Sequence, residues 1–329
     1  MSIDVSRFRK RFRSLAAELG RSGTASLCAV LEEERFSKGD IVVDLAGGDW
    51  MLHLLEHGSV SVQLPTPSGL VEVGELHAGA VLGEVSFLDH ELHTAQVVAD
   101  TDCICHRLSH AGMEDLQAAD PAAATNLVHA ACQVLAERLR MANGQLEELR
   151  HPKRDAQATG QSALLDAVRV LLGMPRHRSE VASALAVLPG FSELSSHERA
   201  VLDHAMWVQE RPSGHTFIAQ GKRTDTAYLI LSGEVAVVRT AGDGVTELAQ
   251  MGRGELFGLL ALLDHQPRSA SCVARGPVRV ACLQRQAYES LRSRPAVLRP
   301  IQQAIAAQLT KDFRHVELQL KDQLSALMG

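Results

Sequence analysis

The chain has 329 residues, 46% of them hydrophobic and 22% charged, with a formal net charge of −6. That length fits about two domains of ordinary size, and the negative balance argues against a protein whose main task is to neutralise nucleic-acid phosphates. No apolar run is long enough to cross a bilayer, and the opening residues MSIDVSRFRKRFR lack the apolar core of a secretion signal, so a cytoplasmic location is expected.

Residues 1–26 read as a basic amphipathic helix, with Arg7, Arg9, Lys10, Arg11 and Arg13 set against a stripe of Phe8, Phe12, Leu15 and Leu19. Its charged face suits an anionic membrane or nucleic acid. A solvated face over a packed stripe is the commoner arrangement, so neither partner is expected. From residue 27 to residue 150 the pattern changes to short alternating runs broken by glycine: DIVVDLAGG, DWMLHLLEHGSVSVQL, LVEVGELHAGAVLG and HTAQVVADTDCICHRL. Alternation with turn residues every eight to twelve positions is the mark of an antiparallel sandwich or barrel, here a small jelly roll. A long helix closes this stretch, with Val128, Cys132, Leu135, Leu139, Ala142, Leu146 and Leu149 spaced as a heptad seam.

Residues 151–187 read as a linker: the polar run RHPKRDAQATG, broken by Pro152, leads into a short helix from Gln161 to Leu172. Residues 188–329 then repeat the earlier pattern. Ser195 and Glu198 form a capping-box pair before RAVLDHAMWV. The strands HTFIAQG, TAYLILSGEVAVVR, VTELAQMGRGELFG and SASCVARGPVRVACLQ follow, and a helix carrying Leu309, Phe313, Val316, Leu320, Leu324 and Leu327 ends the chain. The fold class expected is mainly β with flanking α, as two tandem jelly-roll β-barrels, each followed by a long C-terminal helix. Three partners are open to those helices: the same helix in a second subunit, the other copy's helix, or the helix's own β core. The first is preferred, which predicts a homodimer through the long helices.

The two halves share a segment. Gly79 to Ala95 reads GAVLGEVSFLDHELHTA and Gly254 to Ala270 reads GELFGLLALLDHQPRSA, an ungapped match at a 175-residue offset. An internal period of this length means two whole domains, not a solenoid. Each copy holds one charged residue that the other lacks: Glu84 stands opposite Leu259, and Arg268 opposite His93. The six cysteines lie scattered in apolar stretches without ligand or disulfide spacing, and they read as reduced, buried thiols. His53 and His57 stand four apart in a strand, too far for one metal ion, so no metal is expected. No Ser-His-Asp, Walker-type or paired-carboxylate arrangement stands out, so an enzyme is not expected.

A glycine-punctuated jelly roll, this segment between two strands, and a long helix together resemble the cyclic-nucleotide-binding domain family of catabolite-activator-type regulators and cyclic-AMP-dependent kinase regulatory subunits. The resemblance covers roughly 27–149 and 188–327. It implies that the cassette's Glu accepts the ribose 2′-hydroxyl, its Arg grips the cyclic phosphate, and the following Ser or Thr adds a hydroxyl. A planar guanidinium fork suits that task because it gives two charge-assisted bonds and keeps its proton.

Carried over, the second copy keeps the phosphate half in Gly258, Arg268, Ser269 and Ala270, with the backbone at Leu260 and Ala261, and has Leu259 for the ribose carboxylate. The first copy keeps the ribose half in Gly83, Glu84, Val85, Ser86 and Thr94, with His93 in place of the arginine. Asn143 and Glu317, at matching places on the long helices, are candidates to contact a base, although solvent-facing helix positions are the preferred reading of both. Cyclic AMP or cyclic GMP is the ligand implied. The chain is expected to be a non-catalytic regulatory protein that senses a cyclic nucleotide and relays it to an unidentified partner protein by a shift of the long helix. The alternative is a structural or docking protein whose two cassettes are vestigial. Relatives that regulate transcription add a helix-turn-helix after the long helix; the chain ends there instead, so direct DNA regulation is not expected.

Overall fold

The computed structural model describes residues 3–45, 47, 50–150, 181, 185, 191–241, 244–264 and 266–328. The expected linker and the short helix from Gln161 to Leu172 lie outside the described residues. The chain divides into two compact units, residues 1–149 with 292–329, and residues 150–291.

The first unit begins with α1 (Val5–Arg11), capped by the Asp4 carboxylate, which accepts the backbone N–H groups of Ser6 and Arg7. The backbone leaves helical geometry at Phe12 (φ −103, ψ 62), resumes as α2 (Arg13–Val30), and bends again at Gly20. A single amphipathic helix over 1–26 is therefore interrupted twice, at Phe12 and at Gly20. Phe8 and Phe12, four apart, are buried together with ring centroids 4.6 Å apart. They join Leu15, Leu19, Leu27, Leu52, Leu108 and Leu127 in one core. Lys10, Arg11 and Arg13 are left exposed, and Arg7 pairs with Glu56.

The β core of this unit is built from β1 (Glu32–Phe36), β2 (Ile41–Val43), β3 (Leu52–His57), β4 (Ser59–Thr66), β5 (Gly69–His77), β6 (Val81–Leu82), β7 (Gln96–Ala99) and β8 (Cys103–Leu108). They form two four-stranded sheets, ordered β1-β8-β3-β6 and β2-β7-β4-β5. All pairings are antiparallel, so side chains alternate between the space enclosed by the sheets and the outside. Val42, Leu55, Val60, Leu82, Val97 and Cys105 fill that space. The short helix α3 (Glu84–Asp89) sits between β6 and β7, and α4 (His110–Ala119) and α5 (Pro121–Arg150) follow β8.

On α5, Cys132, Leu135, Leu139, Ala142 and Leu146 of the heptad seam are buried within the single chain. Ala123, Ala124, Leu127, Ala131 and Ala136 are buried beside them, so the covered face is broader than a two-stranded seam.

In the second unit α6 (Ser196–Ala205) starts with the expected capping box between Ser195 and Glu198. The strands are β9 (Met206–Arg211), β10 (Thr216–Ile218), β11 (Thr226–Ser232), β12 (Val235–Ala241), β13 (Gly244–Met251), β14 (Leu256–Phe257), β15 (Ser271–Ala274) and β16 (Val278–Gln284). They pair as β14-β11-β16-β9 and β10-β15-β12-β13, the arrangement of the first unit repeated strand for strand. β14, β15 and β16 each start 175 residues after β6, β7 and β8, so the sequence repeat is a structural repeat. Two short helices complete the unit, α7 (Leu260–Leu263) and α8 (Arg285–Leu291). Phe217, Ile230, Val235, Phe257 and Val280 form its core.

The last helix, α9 (Pro295–Met328), follows the second β core in the chain but packs within the first unit, against α3 and β4. Of the three partners open to it, its own β core is not the one it takes; it lies on the β core and cassette helix of the other copy and reaches that copy's long helix through Gln302. Arg292, just before it, donates to Glu18 and Asn126, and Gln302 donates to the Thr125 carbonyl. All six cysteines are free and buried. Desolvation pushes the Cys132 and Cys272 thiols up to about 12. Among the described residues no helix is long and apolar enough to cross a membrane.

Candidate functional site

Both cassettes turn on a glycine. Gly83 and Gly258 have φ 77, a left-handed conformation that favours glycine. A Cβ on Gly83 would lie 2.4 Å from the Met51 carbonyl oxygen, so no side chain fits there without displacing backbone.

In the second cassette, Arg268 is 6% exposed and spans the loop that surrounds it. Nη1 donates to the Gly258 carbonyl at 2.7 Å, Nη2 to the Thr226 carbonyl at 2.6 Å, and Nε to the Thr224 hydroxyl at 2.8 Å. Its backbone is fixed as well: its N–H donates to Lys222 O, and its carbonyl accepts from Gly221 N–H. A guanidinium so far from water needs such acceptors, because unpaired burial of its charge costs several kcal/mol. Ser269 is exposed, and its carbonyl accepts from Arg239 Nε at 3.3 Å. Ala270 is buried and Leu260 is partly buried. Leu259 is 4% exposed, so the position that would offer a ribose acceptor belongs to the hydrocarbon core. The resemblance places Ala261 in the adjoining turn, which belongs to α7.

The first cassette is arranged around carboxylates. Glu84 opens α3 and is 1% exposed. Its Oε2 accepts from Arg138 Nη1 at 2.5 Å, while Arg138 Nη2 donates to the Val81 carbonyl. The other oxygen, Glu84 Oε1, is buried without a hydrogen-bond partner. Arg138 comes from α5, outside the cassette. Its pairing with Glu84 has a sequence signal in the repeat: where the first copy has Glu84 and Arg138, the second has Leu259 and Asp312, so both charges are absent together.

His93 stands at the corner that Arg268 occupies in the other copy. Its Cε1 lies 3.7 Å from the point where a Cβ on Gly83 would be, and Arg268 Nη1 lies 3.0 Å from the corresponding point at Gly258. Val85 and Ser86 lie on α3, with Ser86 buried. Asn143 spends its amide on the Leu139 carbonyl at 2.8 Å, a bond within its own helix.

Glu317, the counterpart of Asn143, lies in the first unit and is 5% exposed. Thr94 hydrogen-bonds its carboxylate, yet Glu317 Oε2 has no partner. Burial raises its pKa above the ordinary carboxylate value and Glu84 adds to the effect; the Thr94 bond, Lys321 and Arg314 oppose it. Two neighbours on α9 clamp the same loop. Arg314 grips Asp89 with Nε and Nη2 at 2.7 and 2.9 Å and reaches the Leu92 carbonyl at 3.0 Å; Lys321 donates to the Thr94 carbonyl at 3.0 Å. Sequence spacing gave no hint of this, because the contacting residues lie more than two hundred positions apart. Among the described residues no cluster of His, Cys, Asp or Glu is arranged to hold a metal ion.

A family model, the cyclic nucleotide-binding domain, matches residues 33–120 and 208–294. The cyclic-AMP-dependent protein kinase regulatory subunit of Aspergillus niger is 37% identical over 124 residues, which is 37% of this chain and 30% of that protein. The type II regulatory subunit of Drosophila melanogaster is 36% identical over 117 residues, 35% of this chain and 31% of that one. The match thus spans under a third of either relative. Among solved structures, a cyclic nucleotide-binding domain from Methylobacillus flagellatus is 29% identical and covers 42% of this chain and 79% of its own, at a TM-score of 0.38. With the family model matched twice, on both β cores and their cassettes, the chain belongs to the cyclic nucleotide-binding domain family, of which it carries two tandem copies.

Proposed function

We propose that the chain is a non-catalytic regulatory protein whose second cassette binds a cyclic mononucleotide, cyclic AMP or cyclic GMP, and relays its presence to a partner protein. The observation that carries this reading is the placement of Arg268. A permanently charged fork is already held at the cassette corner by the Gly258 and Thr226 carbonyls and the Thr224 hydroxyl. Little reorganisation is then needed to meet a phosphate, which is the condition under which a buried cation contributes most to binding. The curated relatives support the class of function, being named as regulatory subunits of a cyclic-AMP-dependent kinase. Leu259 leaves a ribose 2′-hydroxyl without its carboxylate, so affinity is expected to be weaker by about 1–3 kcal/mol than with an acceptor in place.

The relay requires the ligand to bind one arrangement of the helices better than another. A cytoplasmic setting and self-association through the exposed Met141, Leu318 and Leu327 of the long helices belong to the same reading. Calorimetry of the full chain with cyclic AMP and cyclic GMP tests it. Heat with either nucleotide that disappears in Arg268→Ala is expected; no heat with both overturns the reading. The second reading, docking modules with vestigial cassettes, is favoured by Leu259, which has joined the core in place of a binding carboxylate.

A further inference from the structure

The first cassette raises a different question: what its phosphate corner holds. By the resemblance, Thr94 is the residue whose hydroxyl meets a ligand phosphate. Here that hydroxyl bonds the carboxylate of Glu317. The helix bearing Glu317 is fixed over the same loop at three further points, through Arg314 to Asp89 and Leu92 O, and through Lys321 to Thr94 O. The carboxylate therefore occupies the place of a ligand's anionic group and cannot easily swing away. A second carboxylate, Glu84, acts on it through space, and each of the two keeps one buried oxygen without a partner.

We infer that Glu317 is the residue that decides specificity in the first cassette: it serves as a built-in anion and makes this site reject a cyclic phosphate, whichever residue stands at position 93. Loss of the arginine at His93 is then the lesser obstacle. Restoring a guanidinium there would satisfy Glu317 and Glu84 before it served any ligand, because two buried carboxylates outcompete a solvated monoanion for a nearby cation. Like charges brought together at a desolvated site are strongly disfavoured. The two cassettes thus differ in kind: the second presents a cation at its corner, and the first presents an anion supplied by the far end of the chain.

The inference stands apart from nucleotide binding at the second cassette and is tested by counting sites. Cyclic AMP is titrated calorimetrically at pH 8 into the full chain, into His93→Arg, and into His93→Arg/Glu317→Gln, with His93→Arg/Glu317→Ala as a second form. Each variant is counted against the parent chain, so the added equivalents report the first cassette whether or not the second one binds. His93→Arg is expected to add no equivalent, and removal of the Glu317 charge to add one, with affinity at least about tenfold above any residual binding in His93→Arg. A full equivalent gained by His93→Arg alone overturns the inference. So does the absence of any gain in both double variants.

Discussion

Arg138 on α5 holds Glu84 at the start of α3, Nη1 to Oε2 at 2.5 Å, with the carboxylate almost wholly out of water. A carboxylate in that position needs a cation more than the fold needs the pair, since hydrophobic replacements of buried ion pairs are often neutral. The second copy makes half of that replacement, with Leu259 in place of the carboxylate and Asp312 in place of the arginine. Arg138→Met alone strands Glu84 and is expected to destabilise the first unit by about 3 kcal/mol, the low end for a broken buried pair because Arg138 keeps some contact with water. Glu84→Leu/Arg138→Met should recover most of the loss. Urea denaturation followed by a probe in the first unit measures both, and a double variant no more stable than the single one refutes the assignment.

The two cassette glycines give a graded prediction. Both have φ 77, so any Cβ costs roughly 1–2 kcal/mol in backbone strain. They differ in what the Cβ meets. At Gly83 it is a backbone oxygen at 2.4 Å; at Gly258 the nearest atom is the flexible Cδ1 of Ile218 at 2.7 Å. Gly83→Ala should therefore lower the first unit's melting temperature more than Gly258→Ala lowers the second's. Equal shifts would show that strain alone matters.

Much of this architecture was legible in the sequence, because it rests on local rules. The alternation of DWMLHLLEHGSVSVQL marks β3 and β4, the Ser195/Glu198 spacing marks the capping box, and the 175-residue offset carries the strand order from one copy to the other. The Phe8/Phe12 stripe was read as packed, and it is. What sequence spacing did not reveal is tertiary. Heptad spacing on the last helix says that one face is covered but not by what, and Arg314, Glu317 and Lys321 meet Asp89 and Thr94 only after the whole second module has intervened. Asn143 and Glu317 share a helical register yet end in different surroundings, one bonded to its own helix and one buried at the cassette. The Glu84 and Arg138 pairing was recoverable in principle, by comparing the copies at both positions at once.

Arg268 predicts a structural effect separate from any ligand. Arg268→Met removes the donors to the Thr226 and Gly258 carbonyls, and a buried carbonyl left unsatisfied costs about 1–3 kcal/mol. The second unit should lose stability by that order while the first is unaffected. Arg268→Lys should fall between, since an ammonium cannot bridge the same oxygens with a planar fork. Unfolding monitored at Trp207 in β9 provides the readout. A melting curve unchanged in Arg268→Met would mean that the bonds are not formed in solution.

The clamp by α9 predicts a protection pattern. Arg314 holds Asp89 through two bonds and the Leu92 carbonyl through a third. Arg314→Ala should raise hydrogen–deuterium exchange of the 84–94 segment by about tenfold or more, and leave the matching 259–269 segment of the second unit unchanged. Equal exchange at 84–94 in both proteins would show that the helix is not seated there.

Glu317 makes stability depend on pH with a definite sign. Burial first, and Glu84 second, hold its folded pKa above the unfolded value of about 4.3, against the Thr94 bond, Lys321 and Arg314. Between the unfolded and the folded pKa the folded chain keeps a proton that the unfolded chain has released, and above both Glu317 is ionised in either state. The stabilising contribution is fully present below pH ~4.3 and is lost as pH rises through the folded pKa. Glu317→Gln cannot ionise, so it should match the parent near pH 4 and exceed it at pH 7–8 by about 1 kcal/mol, the order expected for relieving one uncompensated buried carboxylate oxygen. Melting temperatures of the two proteins across pH 4–8 check this. The curves should diverge as pH rises, whereas a constant separation would place Glu317 in water, and convergence toward high pH would mean that its ionised form is the stabilised one.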